Sequence, residues 1–223
     1  MGAMSETSTP ARGRPPRLDR ERTLRTALDL LRQSGLDALT MRRLAEALDV
    51  KAGALYRYFA TKQDLLTAMA ERMMAGVADA TAAADDGDWS GQLRTLARAL
   101  RAALLAHRDG ARVFAGTHAT GPHTLGIADT LVGVLRGAGF SDEEAARTLF
   151  TVANFTVGHT LEEQAALEPA DGGADVPALL TEAVAAGTYP HLQAGLSTLS
   201  STDFTALFEF GLGLLVDGLR ARR

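Results

Sequence analysis

The sequence predicts an all-α protein, and three observations predict it. Apolar residues return every three or four positions through most of the chain. The breaks fall at helix punctuators: Gly35, Pro122, Gly137 with Gly139, and the stretch EPADGGADVP. No run alternates β-branched with polar residues as a half-buried strand does. These breaks divide the chain into an arm at residues 1–17, a small helical unit at 18–65 and a larger helical bundle at 66–223.

The arm is rich in Ser, Thr, Pro and Arg and is expected to be disordered when free. Residues 1–3 ahead of Met4 read as a cloning remnant. From Leu18 the period turns helical, with Leu24, Ala27, Leu28 and Leu31 on one side, and Gly35 suits a helix stop. Thr40 is placed to cap a second helix carrying Met41, Leu44, Ala45 and Leu48. A break at Asp49 and Val50 leads to a third, short helix at about 51–57. Thr61 caps a fourth, expected to run from residue 62 to about 83, where ADDGDWSG interrupts. Further helices are expected at about 89–107, 108–114, 122–138, 141–166, 176–187 and 202–220.

At 223 residues, 46% hydrophobic and 22% charged, the chain has ordinary globular composition and length for a substantial core. With no cysteine it has no disulfide, thiolate chemistry or Cys-ligated zinc. The arginine-rich N-terminus has no apolar core like that of a secretory leader. Residues 204–219, the most apolar stretch, are interrupted by Glu209 and Asp217 and too few to span a bilayer, so no membrane partner is expected. The net charge of -4 is unevenly spread. Residues 1–72 hold 13 Lys+Arg against 9 Asp+Glu, a surplus of four, while the remainder holds 10 against 18, a deficit of eight. A basic front on an acidic body suits a protein with one end on a polyanion.

LTMRRLAEALDVKAGALYRYF, at 39–59, fits two short helices around a tight turn, a helix-turn-helix. Leu44, Leu48, Val50, Leu55 and Phe59 would lock the pair. Outward it would offer Arg42, Arg43, Lys51, Ala52, Gly53, Ala54, Tyr56, Arg57 and Tyr58, a basic and aromatic face with small residues where a helix enters a groove. Arg reads guanine in the major groove, and Tyr hydroxyls and Lys62 suit phosphates. A solvated corner of a bundle is the competing reading. Arg12, Arg14 and Arg17 are candidates for an adjacent minor groove, or for a merely solubilising tail.

The stretch 39–69, LTMRRLAEALDVKAGALYRYFATKQDLLTAM, is similar to the DNA-binding domain of the TetR family of transcriptional regulators. The family pattern matches at Thr40, Leu44, Ala45, Val50, Gly53, Leu55, Tyr56, Tyr58, Phe59, Lys62, Leu65 and Leu66. The resemblance implies a homodimeric, usually repressing DNA binder released by a ligand. It implies that Arg42 and residues 51–58 meet the major groove, with Thr40, Tyr56 and Lys62 on phosphates.

The resemblance continues into ALLAHRDGARVFAGTHAT (103–120) and NFTVGHTLEEQ (154–164), which look like stretches of the family's tetracycline-sensing members. Thr117 and Glu162 match those members. Phe114 stands where a histidine helps bind the drug's magnesium. Leu96 and Leu100 replace an asparagine and an aromatic at the drug's polar edge. Ala78 and Asn154 replace histidines, and His118 an arginine. Phe114 offers no oxygen or imidazole to a hydrated divalent cation. Each lost anchor would leave drug polarity unpaired, at roughly 1–3 kcal/mol apiece. Tetracycline–magnesium is therefore not expected to bind. An apolar cavity with polar points at Thr117, His118, Thr130 and Asn154 would suit a hydrophobic, polyketide-like effector; a closed core is the other reading.

Two late helices have broad apolar faces. The resemblance places a homodimer interface there, at Leu149, Val152, Phe155, Phe204, Phe208, Leu212 and Leu215, with Gly158, Gly211 and Gly213 permitting close approach. Burial within one protomer is the alternative. The five histidines show no metal-ligand spacing, and neither a metal nor a cofactor is expected. No catalytic constellation supports an enzyme. The expected partners are double-stranded operator DNA, a small hydrophobic effector and a second copy of the chain. A DNA-binding or architectural protein without a ligand is the runner-up.

Overall fold

The computed structural model describes residues 19–81, 88–167 and 176–222. Helix α1 (Arg20–Ser34) begins at Asp19, whose carboxylate accepts from the Arg22 amide at 2.7 Å. It ends at Gly35, whose φ of +75° is the left-handed region that glycine enters without strain. Helix α2 (Met41–Ala47) is capped by Thr40, and α4 (Lys62–Met73) by a reciprocal box between Thr61 and Asp64. Between them α3 (Ala52–Leu55) is only one turn. It is shorter than expected because Leu55 is its only buried residue, too little to stabilise a longer helix. The α2–α3 turn passes through Asp49 at φ +55°.

The fourth helix does not reach residue 83. It stops at Met73, and Gly76 (φ +81°) turns the chain into a 3₁₀ turn at Ala78–Thr81. The left-handed backbone at Gly76 is incompatible with a continuing α-helix, and Met73, Met74 and Val77 are nevertheless all buried on either side of it. Next come α5 (Trp89–Leu105), α6 (Gly110–Ala115), α7 (Pro122–Gly137), α8 (Asp142–Leu167) and α9 (Val176–Ala186). Two short helices that the periodicity did not signal, α10 (Pro190–Ala194) and α11 (Leu196–Leu199), precede α12 (Phe204–Arg220). Pro190 opens α10 at a position where its missing N–H costs nothing. Among the described residues there is no strand.

Helices α5, α7 and α8 pack on one another, α6 lies against α4 and α8, and α12 covers α8. A single hydrophobic cluster runs from Leu24 in α1 to Val216 in α12. The expected unit boundary at 65–66 falls inside α4, whose Leu65, Met69 and Met73 all join that cluster. Arg101 and Glu163 form a two-pronged ion pair, at 2.8 and 2.7 Å, largely shielded from solvent. The Arg101 guanidinium also lies 5.1 Å from the Phe208 ring centre.

Candidate DNA-reading head and effector domain

The reading head is held from below. Leu44, Leu48, Leu55 and Phe59 are buried, and the Arg20 guanidinium stacks over Phe59 at 5.3 Å. Above them Arg42, Arg43, Lys51, Ala52, Gly53, Tyr56, Arg57 and Tyr58 are exposed, with Ala54 and Lys62 half-buried. Tyr56 retains 53% of its surface, a large exposure for an aromatic with no visible partner surface. A Cβ built at Gly53 would meet nothing within 4 Å. The fold therefore does not require glycine there, and a requirement for smallness would come from outside the chain. Arg42 pairs with Glu46 at 2.9 Å, both well exposed, a contact weak enough to be exchanged for a base. Thr40 Oγ1 is occupied in accepting the Arg43 amide at 3.1 Å. Arg14 and Arg17 lie outside the described residues.

A polar joint fastens this head to the C-terminal helices. Asp109, buried and at φ +55°, accepts the Leu36 amide at 2.6 Å. Arg112 on α6 donates to Asp109 at 2.8 Å and to Asp37 at 3.0 and 3.3 Å. The hydrogen bond and charge of Arg112, with a smaller contribution from Lys62, hold the Asp37 carboxyl below its ordinary range. The Asp37 and Asp109 carboxylates in turn raise the pKa of Arg112. Sequence reading missed all three residues. Asp109 and Arg112 lie in the stretch 103–120 that carries the family resemblance, which does not single them out.

The candidate effector residues do not share one environment. Leu96 and Leu100 are buried in the core, and Phe114 and Thr130 are half-buried. Thr117 donates to the Phe114 carbonyl at 3.0 Å. His118, Asn154 and Glu162 are exposed, whereas Glu163 beside Glu162 turns inward to Arg101. A groove of about 410 Å³ lies elsewhere, between α8 and α12, lined by Phe140, Thr148, Val152, Leu215 and Leu219 among others. Among the described residues no group of three or more His, Asp or Glu is placed to hold a metal.

The residues expected at the dimer interface divide. Val152, Phe208 and Leu212 are buried within the protomer and are not available to a partner. Leu149, Phe155, Phe204 and Leu215 are half-buried. The outer faces of α8 and α12 instead expose Phe150, Phe210 and Leu214, at 68, 69 and 60%. Of the three glycines, only Gly211 shows a close approach: a Cβ there would lie 2.6 Å from the Phe155 ring, which stacks on Phe208 with centres 5.4 Å apart.

Residues 24–69 match the family model for bacterial regulatory proteins of the tetR family, and residues 81–223 match the tetracyclin repressor-like C-terminal domain. The chain belongs to the TetR family. Its α2–α3 pair is that family's DNA-binding helix-turn-helix. The chain is 43% identical over 202 residues to the class A tetracycline repressor from transposon 1721 of Escherichia coli, covering 90% of this chain and 89% of that one. A possible TetR-family transcriptional regulator from Streptomyces coelicolor A3(2), solved by crystallography, is 75% identical with a TM-score of 0.86, covering 92% of this chain and all of that one. Streptomyces coelicolor ActR in complex with (S)-DNPA is 30% identical with a TM-score of 0.78, covering 92% and 98%. Among the described residues no helix is long and apolar enough to cross a membrane.

Proposed function

We propose that this TetR-family protein is a homodimeric repressor that reads a palindromic operator and leaves it when a hydrophobic small molecule enters the C-terminal domain. The observation that carries the reading is the exposed α2–α3 face, basic and aromatic, with open space over Gly53. Two such heads related by a two-fold axis fit two half-sites one helical turn apart. The ligand class rests on the resemblance, in which Leu96, Leu100 and Phe114 stand where a metal-chelated drug needs polar partners. A product of polyketide type fits that chemistry, with an efflux or natural-product gene as the target. In this reading the protein works in the cytoplasm, takes no cofactor and catalyses nothing. Arg14 and Arg17 would then be the residues offered to an adjacent minor groove.

Effector binding would displace α6, and the Asp109–Arg112–Asp37 joint would pass that displacement to the head. Because coupling is reciprocal, operator DNA would weaken effector binding by the same factor. The test is anisotropy with labelled duplex from upstream of the protein's own gene, titrated with salt. Two protomers should bind per duplex, with log affinity falling linearly in log salt. Tyr56→Ala should weaken binding to all sequences, whereas Arg42→Ala should cost about 1–3 kcal/mol and relax specificity at its base. Tetracycline with magnesium should leave the complex intact, while a more apolar polycyclic polyketide that presents no metal-chelated edge dissociates it. No binding to any duplex at low salt would sink the reading.

A further inference from the structure

We propose that Glu71 is a coupling residue: a carboxylate on α4 that serves as the detachable N-terminal cap of α7, tying the helix beneath the reading head to the loop at residues 117–121. The inference rests on the regulator reading above and adds a route of communication to it.

Helix α7 has no cap of its own. Its N-cap residue is Gly121, which has no side chain, and Pro122 follows at the first helical position. The amides of the first turn therefore need an acceptor from elsewhere. Glu71, about fifty positions earlier in the chain, supplies it. Its carboxylate accepts the His123 amide at 2.5 Å, the Thr124 amide at 3.2 Å and the Thr124 hydroxyl at 2.6 Å. A negative group on these N–H groups is also favoured by the helix dipole. Gly121 is needed for this approach, not for its backbone, since its φ of -80° is ordinary. A Cβ there would lie 2.6 Å from Glu71 Oε1.

A second tie from α4 reaches the other end of the same loop. Gln63 Nε2 donates to the Gly116 carbonyl at 2.7 Å, where α6 ends. Gln63 and Glu71 are eight residues apart, about 12 Å along the helix axis. Between them they bracket the loop that carries Thr117 and His118. Helix α4 is itself fixed to the head: the Thr61–Asp64 box opens it, and Arg72 pairs with Glu21 of α1 at 3.2 Å. A rotation of α4 that alters the angle of the head must either drag the first turn of α7 or pull Glu71 off it. Charge-assisted hydrogen bonds of this kind are strong enough to drag.

The experiment is hydrogen exchange at the His123 and Thr124 amides of the full-length protein, free and bound to the upstream duplex. In the wild type, DNA should change their exchange by about fivefold or more, the low end of ordinary allosteric coupling. Glu71→Ala should still bind the duplex, yet its two amides should exchange at the same rate with and without DNA. Glu71→Gln should retain part of the response. Gly121→Ala, which keeps Glu71 but crowds it out, should reproduce the loss and serves if Glu71→Ala fails to fold. A DNA-induced change in Glu71→Ala equal to that of the wild type would overturn the coupling alone, as would wild-type amides indifferent to bound DNA. A wild-type protein that binds no duplex would overturn the regulator reading and the coupling with it.

Discussion

Thr156 is fully buried on α8, and its hydroxyl is the one buried side-chain polar atom without a hydrogen-bond partner among the described residues. A buried hydroxyl without a partner carries an uncompensated desolvation cost, and valine has nearly the same shape without it. Thr156→Val should therefore raise the unfolding free energy by about 1 kcal/mol, read from the denaturant midpoint at unchanged slope. A fall would mean the hydroxyl has a partner, such as a bound water. Thr160, one turn on, is the control, because its hydroxyl donates to the Thr156 carbonyl at 2.7 Å. At this scale the sequence is legible where a residue acts on its neighbours. Thr40, Thr61 and Gly35 are read correctly because a cap or stop depends on residues within one turn. Asp109 and Glu71 are not legible, since their partners lie 73 and about 52 positions away and no local pattern announces them.

At the scale of the element, α8 and α12 show why a periodic stripe is ambiguous. Both helices are apolar on more than one side, so the spacing that marks a buried face cannot say whether the protomer or a partner buries it. The protomer takes Val152, Phe208 and Leu212 and leaves Phe150, Phe210 and Leu214 in water. Burying each of those three large side chains is worth roughly 1.5–3 kcal/mol, which a second copy can supply at a symmetric contact. Replacing Phe210 and Leu214 with Asp should leave the helical spectrum and the protomer's core unchanged. It should shift the sedimentation coefficient to that of a monomer and abolish tight operator binding. A double variant that still sediments as a dimer would move the interface to other helices. The end of α4 is ambiguous for a different reason. Met73, Met74 and Val77 have the spacing of a continuing apolar face, and an isolated glycine such as Gly76 is tolerated within a helix, so the sequence does not announce the left-handed turn that Gly76 makes.

At the scale of the whole molecule, local burial and hydrogen bonding at a few titratable groups add up to a pH dependence with two separate windows. Burial, helped by the nearby charge of Arg32, lowers the pKa of His107 below 6.5. The unfolded chain then binds a proton that the folded chain resists, so stability falls as pH drops below 6.5 and is regained as pH rises. Glu71 behaves like an ordinary paired carboxylate in the outcome. Burial pushes its pKa up, but hydrogen bonds from Thr124 and His123 outweigh burial and leave it below 4.5. Glu209, hydrogen-bonded by Arg98 at 2.7 Å on both oxygens, is depressed in the same way. A depressed carboxylate stabilises the fold above its unfolded value, and that stability is lost only as pH falls through the lower folded value. Unfolding free energy should therefore decline in two steps, a first below about pH 6.5 and a second below about pH 4.5. His107→Gln should flatten the first step and spare the second, because the contacts recorded for His107 with Gly110 and Gln164 use its backbone carbonyl, which the substitution keeps. If the step between pH 7 and 5 survives in His107→Gln, another group titrates there and the burial of His107 is not its cause.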